Sequence, residues 1–179
     1  DFTTYEGKAL AAVKIQDRSC VKDSLVLCDF GWPIMDSFNT PDHVGDASLE
    51  SRLFSAATGV ETDEAALNRA GERIFNLQRG VLLREGWQAV EADVPAEFNF
   101  TRPVETDPLN PLLLVPGPTE EPVSVKGNVL DRVKFEQMRE EFYRLRGWDT
   151  ESGLPQCGTL QRLDLADMAQ ELTPRGLTA

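Results

Sequence analysis

The amino-acid sequence predicts an all-α protein, built as an irregular helical domain or domains with a proline-rich extended excursion. Several segments carry apolar residues at the 3–4 spacing of an amphipathic helix. No run of useful length alternates apolar and polar side chains as a half-buried β-strand does. Seven prolines fall between residues 93 and 128, and this density forbids a long helix there.

The first helix is expected over about residues 4–22. Thr3 and Glu6 have the spacing of a capping box, in which an N-cap threonine is followed three residues later by a glutamate. Apolar and small side chains then recur at helical spacing as far as Cys20. The sequence therefore predicts a long helix at the start of the chain.

Glycine and proline residues mark the boundaries of the elements predicted in the next part of the chain. Residues 29–46 read as an irregular connection. A short helix is expected over 47–58, because Gly59 follows it as a C-cap glycine does. The strongest helical pattern then extends from a predicted cap at Thr62 to a glycine stop at Gly86.

One face of this strongest helix is predicted to be apolar. Its members step by three and four residues: Leu67, Ala70, Ile74, Leu77 and Val81. Gly71 and Gly80 also lie within it, and each glycine costs about 1 kcal/mol relative to alanine in a helix. We therefore expect these two glycines to mark close contacts with neighbouring helices.

The excursion and three helices complete the chain. Phe98, Phe100 and residues 112–115 are expected to anchor the excursion, because so apolar a segment gains free energy by leaving water. A helix is expected over 129–146, where Phe135, Met138, Phe142 and Leu145 share one face and Gly147 follows as a stop. Two short helices are expected over 159–163 and 165–172.

Composition excludes several classes of function. The net charge is −12, from 30 acidic and 18 basic residues, and phosphate binding needs clustered basic residues, so no nucleic-acid partner is expected. No apolar run reaches the roughly 18 to 20 residues of a membrane span. Three cysteines without a C-x-x-C pair favour a reducing cytoplasm over a disulfide framework. The single histidine, His43, leaves little for a zinc site or a Ser-His-Asp triad.

A carboxylate and a thiol follow the first helix five residues apart, in the segment D-S-L-V-L-C at 23–28. This segment resembles the D-x-x-G-L-C motif of the tungsten-containing aldehyde ferredoxin oxidoreductases. Three further blocks resemble the same family: G-E-R-I-F-N-L-Q-R with R-E-G (71–79, 84–86), D-V-P (93–95), and F-Y-R-L-R-G-W-D with G-L-P (142–149, 153–155). Four blocks in order span nearly the whole chain.

The resemblance implies roles for three residues. Asp23 would accept hydrogen bonds from a pterin cofactor, Leu27 would contact the pterin through its backbone, and Cys28 would ligate one iron of a 4Fe–4S cluster. Each has a plainer interpretation. Asp23 fits a solvated helix face or a cap, and Cys28 fits a buried thiol that packs as a small hydrophobe. Cys20 is expected in the core, and Cys157 is expected to be a surface or loop thiol.

Val26 departs from the family pattern, which has glycine at this position. A β-branched residue rarely adopts a positive φ, so the backbone here is expected to avoid that conformation.

The resemblance also implies a larger parent enzyme, with its cofactors, reaction and partners. The chain would be the C-terminal helical region of a larger enzyme, with cofactor-adjacent helices over 1–92, the proline-rich excursion over 93–128 and closing helices over 129–179. The parent would carry a tungsten or molybdenum bis-pterin and a 4Fe–4S cluster, and would oxidise aldehydes to carboxylic acids. Its partners would be its own N-terminal part and ferredoxin or an electron-transfer subunit. The chain alone is expected to hold no catalytic residue, because the family's other motifs lie upstream.

Two alternatives stay open. One is the catalytic subunit of a tungsten-dependent benzoyl-coenzyme A reductase, which belongs to the same family. The other is a cofactor-free helical scaffold or interaction domain.

Overall fold

The fold is mostly helical, and the expected all-α class is confirmed, with one small β-hairpin added. The computed structural model describes residues 3–28, 41 and 43–179. The predicted connection over 29–46 therefore lies largely outside the described residues. The helices are α1 (Lys8–Ser24), α2 (Leu49–Thr58), α3 (Glu64–Arg84), α4 (Phe98–Thr101), α5 (Arg132–Arg146), α6 (Cys157–Arg162) and α7 (Ala166–Leu172). Short 3-10 turns lie at Ala89–Glu91 and Thr173–Arg175. None of the helices in the described part of the chain is long and apolar enough to cross a membrane.

Helix α1 packs between α3 and α5. At Gly71 of α3 a Cβ atom would lie 2.3 Å from the carbonyl oxygen of Asp17 in α1, so only glycine permits this crossing. At Gly80 a Cβ atom would lie 1.9 Å from the Met168 sulfur of α7. The prediction that both glycines mark close helix contacts is confirmed.

Three predicted helix starts were wrong. The helix expected from residue 129 begins at Arg132, where the Asp131 carboxylate caps it by accepting from the Lys134 amide at 3.0 Å. Helix α1 begins at Lys8 rather than near residue 4, because Gly7 adopts a left-handed conformation with φ 72°. Thr4 instead accepts a hydrogen bond from the Glu6 amide at 3.1 Å, in a local turn before the helix. Helix α3 is capped by Asp63, one residue after the predicted Thr62, and the Asp63 carboxylate accepts from the Ala66 amide at 2.7 Å.

The predicted apolar face of α3 was also partly wrong. Leu67 is buried as expected, but Ala70, Leu77 and Val81 are exposed. The buried positions of the helix include polar and very small residues: Leu67, Gly71, Asn76, Arg79, Gly80 and Leu83. The helix therefore buries a face that its apolar periodicity does not reveal.

A buried arginine joins α5 to α1. Arg146 is fully buried, and its guanidinium donates to the Asp17 carboxylate, to the Gln16 side chain at 2.9 Å and to the Val13 carbonyl at 3.2 Å. The same guanidinium lies 4.0 Å from the centre of the Phe75 ring in α3. Burial raises the pKa of Asp17, although the hydrogen bond from Arg146 acts in the opposite direction.

The C-terminal helices form a separate apolar cluster and confirm the two short helices expected there, with shifted ends. Gly147 ends α5 in a left-handed conformation with φ 68°, as predicted, whereas Leu145 is exposed rather than packed on the predicted face. The cluster holds Leu160, Leu163, Leu165, Ala169 and Leu172.

The excursion contains structure that the sequence did not predict. Strand β1 (Leu114–Pro116) pairs antiparallel with β2 (Pro122–Ser124), with Val115 opposite Val123. Leu113 is buried beside the hairpin, and the Phe100 ring meets the Phe135 ring of α5 edge to face. These two residues anchor the segment as expected, whereas Phe98 and Leu112 are exposed.

Candidate functional site

Helix α1 ends in a six-residue capping motif over residues 22–27, which Cys28 of the D-S-L-V-L-C segment follows directly. The Leu27 amide donates to the Lys22 carbonyl at 2.9 Å, and the Val26 amide donates to the Asp23 carbonyl at 3.3 Å. These two bonds define a Schellman motif, in which the residue after the C-cap takes a left-handed conformation. That residue is Val26, with φ 57°. The expectation that Val26 would avoid a positive φ was wrong, because the two capping bonds require this conformation.

The three residues singled out in the sequence lie in and after this motif. Asp23 is exposed, and its carboxylate has no hydrogen-bond or ion-pair partner within the described residues. Leu27 is half-buried, and its amide donates the capping bond to the Lys22 carbonyl. Its carbonyl accepts no hydrogen bond from the described part of the chain. Cys28 is exposed, so the buried-thiol interpretation does not hold for it. Two acceptors and one thiol are therefore presented at one helix end.

Charged side chains are buried behind this helix end. Lys22 is only 5% exposed, and burial lowers the pKa of its ammonium group, with neighbouring Arg18 acting in the same direction. Arg18 forms an ion pair of 3.0 Å with the buried Glu50 of α2. The surroundings of Lys22 include the acidic groups Glu50, Cys28 and Asp23, which favour its charged form. The capping motif thus lies over a buried cation.

The other two cysteines lie elsewhere. Cys20 is buried against α3, where its thiol contacts the Gln78 side-chain oxygen at 3.7 Å, and the prediction of a core thiol is confirmed. Burial raises the pKa of the Cys20 thiol. Cys157 begins α6, so it does not lie in a loop, and it is half-buried. No group of three or more His, Cys, Asp and Glu side chains within the described ranges is arranged to hold a metal ion.

A second polar cluster gathers residues from the three downstream sequence blocks. Its centre is Asp93, whose carboxylate receives two hydrogen bonds from Arg79, at 3.0 and 2.7 Å. It also accepts from the Tyr143 hydroxyl at 2.7 Å and from the Trp87 indole at 3.0 Å. Desolvation alone would raise the pKa of Asp93, but the bonds from Arg79, Tyr143 and Trp87 outweigh it and hold the pKa below its usual value. Desolvation and the bond to Asp93 raise the pKa of Tyr143, so its hydroxyl remains a donor.

The same cluster extends into the core through Trp148. The Trp148 indole donates to the buried Asn76 side chain at 2.7 Å, and the Arg79 guanidinium lies 4.4 Å from the centre of the Trp148 ring. Arg79 also donates to the Gly153 carbonyl at 2.9 Å. The sequence blocks at 71–79, 93–95 and 142–155 therefore meet in one buried network that joins α3, α5 and the turn after α5.

Sequence reasoning did not identify this network. All of its members except Trp87 lie in the blocks of the family resemblance, and no local spacing indicates that Asn76 and Trp148, 72 residues apart, share a hydrogen bond. The one available signal was that polar and aromatic residues recur in three blocks of the same resemblance. Because each carboxylate, amide and indole named in the network is satisfied inside it, the arrangement positions helices rather than offering a reactive group.

Comparison with known proteins agrees with this architecture. Residues 1–165 match the family described as aldehyde ferredoxin oxidoreductase, domains 2 and 3. Among solved structures, the chain is similar to the active-site complex BamBC of benzoyl-coenzyme A reductase in complex with 1,5-dienoyl-CoA, with a TM-score of 0.50 and 20% sequence identity. That similarity covers 74% of this chain and 16% of the other, so this chain spans about a sixth of the length of that relative. The chain belongs to the aldehyde ferredoxin oxidoreductase family, in the region of its domains 2 and 3.

Proposed function

We propose that this chain is the C-terminal part of a tungsten or molybdenum pterin, iron–sulfur oxidoreductase that oxidises aldehydes to carboxylic acids. Electrons would leave through a 4Fe–4S cluster to ferredoxin or to an electron-transfer subunit. The observation that carries the proposal is the end of α1. There, in a chain that matches this family over residues 1–165, Asp23, Leu27 and Cys28 keep the spacing of the family motif and are presented on one exposed turn.

The donor set at this turn fits the two proposed groups. A thiolate is the usual ligand of an iron–sulfur cluster, and the exposed Cys28 would supply one of the four. The Asp23 carboxylate and the Leu27 carbonyl are both acceptors without a partner in the described part of the chain, so both are available to the N–H groups of a pterin. When bound, the metal–pterin and the cluster would supply the redox chemistry, while the protein supplies position and electrostatics.

The capping motif would hold the Leu27 carbonyl and the Cys28 thiol in place. The amides of Val26 and Leu27 are fixed to α1 by two hydrogen bonds, so the Leu27 carbonyl and the following Cys28 have a defined direction. Behind them, buried Lys22 lies close enough to interact with Cys28. Positive charge near the sulfurs of a cluster favours its reduced state.

The remaining ligands and the catalytic groups would come from the rest of the parent enzyme. Helix α3 presents Leu77, Val81 and Leu82 at its surface, with exposed fractions of 37%, 36% and 46%. An exposed row of large apolar side chains is typical of a surface that another domain covers. We assign this row to contact with the rest of the same enzyme.

We also propose that the enzyme is cytoplasmic, because cysteine thiols stay reduced in that compartment.

Reduction of an aromatic ring by a benzoyl-coenzyme A reductase is the second candidate function. The observation in its favour is the likeness to the BamBC complex. At 20% identity this likeness concerns the fold and does not select the substrate. We therefore retain aldehyde oxidation, the reaction in the name of the matched family, as the first candidate.

Metal analysis of the intact natural protein tests the proposal. The protein should be purified without oxygen, its mass measured, and iron, tungsten and molybdenum quantified on the same sample. A polypeptide several times 19.9 kDa that carries tungsten or molybdenum and about four irons is expected. A metal-free protein would contradict the proposal and favour a cofactor-free scaffold. Reduction of benzoyl-coenzyme A without aldehyde oxidation by a metal-loaded enzyme would favour the second candidate.

A further inference from the structure

A cleft of about 300 Å³ opens between α1, α3 and α5, away from the capping motif. Its wall on α1 includes Ala9 and Ala12. Ala12 lies twelve residues before Ser24, or about 18 Å along the helix axis. The cleft is therefore a different site from the turn that presents Asp23 and Cys28.

Five of the residues that line this cleft are aromatic. Phe75 and Trp148 stack with ring centres 6.1 Å apart, and Phe142 meets Trp148 edge to face at 5.8 Å. Phe135 and Met138 of α5 also line the cleft. Sites for small organic ligands have this size and this apolar lining, with a few polar groups that converge on the ligand.

Most of the charged groups of the cleft are cationic. Lys8, Arg79 and Arg139 line it together with one carboxylate, Asp93. The Asp93 carboxylate already receives two bonds from Arg79 and one each from Tyr143 and Trp87, so its charge is compensated within the wall. Because Asp93 compensates Arg79, the cleft also holds a cation, Arg139, that has no carboxylate partner in the described part of the chain. This charge would favour an anion over a neutral ligand.

Arg139 supplies the group best placed to bind that anion. Its Nη1 atom donates to the Val90 carbonyl at 3.1 Å, which fixes the guanidinium at the cleft. Its Nη2 atom has no hydrogen-bond partner in the described part of the chain, and its Nε atom is buried without one. The guanidinium also lies 6.0 Å from the centre of the Phe135 ring, at the border between the cationic and the aromatic walls.

We propose that this cleft binds a small aromatic carboxylate, with the ring among Phe75, Phe135 and Phe142 and the carboxylate on Arg139. The inference stands on the contents of the cleft and does not depend on the proposed cofactors. A charge-assisted hydrogen bond from Arg139 would orient the acid, while the aromatic walls would remove its ring from water.

Calorimetric titration of the complete natural protein with benzoate tests the assignment. We expect saturable binding of one benzoate per chain, and at least tenfold weaker binding of the neutral isostere benzamide. Arg139→Gln should weaken benzoate binding at least tenfold, because it removes the charge that binds the carboxylate. Arg144→Gln is the matched control: it removes the same charge from an exposed position of the same helix and should leave binding within twofold of wild type.

Several outcomes would overturn the assignment. Absence of saturable benzoate binding would mean that another part of the polypeptide fills the cleft. Equal affinity for benzoate and benzamide, or equal losses in the two arginine variants, would exclude a specific role for Arg139. If Arg139→Gln fails to fold, Met138→Trp provides a second test, because it narrows the cleft and leaves Arg139 in place. Undiminished benzoate binding by that variant would contradict binding in this cleft.

Discussion

At the scale of single residues, Val26 holds a backbone conformation that its side chain disfavours. A left-handed conformation costs an L-residue about 1 to 2 kcal/mol, and a β-branched residue with positive φ is an outlier. Val26 has φ 57° and a side chain that is 90% exposed, so no packing offsets this cost. The family motif that this segment resembles has glycine at this position, and glycine takes a left-handed conformation without strain. The structure therefore gives a physical reason for glycine at that motif position.

Val26→Gly should stabilise the protein. We expect the free energy of unfolding to rise by about 1 kcal/mol, since the relief of left-handed strain exceeds the entropic cost of a glycine. Urea denaturation of the two proteins measures the difference. Val60→Gly is the matched control, because Val60 is also exposed and lies outside helices but has no positive φ. Equal or lower stability of Val26→Gly would contradict the strain at this position.

Asp93 is the residue on which the buried network depends. Asp93→Asn should lower the free energy of unfolding at pH 7 by about 3 kcal/mol, because it leaves the guanidinium of Arg79, which is 5% exposed, without its counter-charge. Urea denaturation measures the loss. Asp164→Asn, which breaks the exposed pair with Arg69, should change stability by less than about 0.5 kcal/mol.

The pH dependence of this loss has a definite sign. The pKa of Asp93 lies below its ordinary value of 3.8 in the folded protein, so the unfolded state binds more protons at acidic pH. The stability that ionised Asp93 contributes is complete above pH 3.8 and declines as the pH falls through the folded pKa. The difference between wild type and Asp93→Asn should therefore narrow below pH 4. A constant difference from pH 7 to pH 3 would contradict the lowered pKa.

At the scale of helices, the α1–α3 crossing depends on a missing side chain. Gly71→Ala would place a Cβ atom against the backbone of Asp17, which cannot move as a flexible side chain can. We expect a loss of about 1 to 3 kcal/mol in the free energy of unfolding. Gly158→Ala in α6 is the control, because nothing lies within 4 Å of its added Cβ atom. That variant should be neutral or more stable, and equal effects of the two substitutions would contradict the close crossing.

The helices also mark where prediction from sequence succeeded and failed. The 3–4 spacing and the glycine stops at Gly59 and Gly147 located most helices within a few residues, because these signals are local. The buried face of α3 was missed because its core positions include Asn76 and Arg79. Burial of such residues depends on partners that the local pattern does not contain, here Trp148 and Asp93.

At the scale of the whole molecule, the four sequence blocks of the family resemblance divide into two kinds. The blocks around Arg79, Asp93 and Tyr143 form an internal hydrogen-bond network that positions the helices. The block that ends at Cys28 presents its polar groups outward instead. The sequence resemblance singled out Asp23, Leu27 and Cys28, and their proposed partners are cofactor atoms and other parts of the enzyme. Their roles therefore stay predictions.

The most direct test of the central claim is replacement of Cys28 by alanine in the complete, anaerobically purified protein. Iron per polypeptide and the electron paramagnetic resonance spectrum of the reduced protein should be measured for Cys28→Ala, Cys157→Ala and wild type. We expect Cys28→Ala to lose the spectrum of an intact 4Fe–4S cluster and part of its iron, because one of four thiolate ligands is removed. Cys157→Ala should keep both. A wild-type spectrum and a full iron content in Cys28→Ala would contradict the assignment of Cys28 as a cluster ligand.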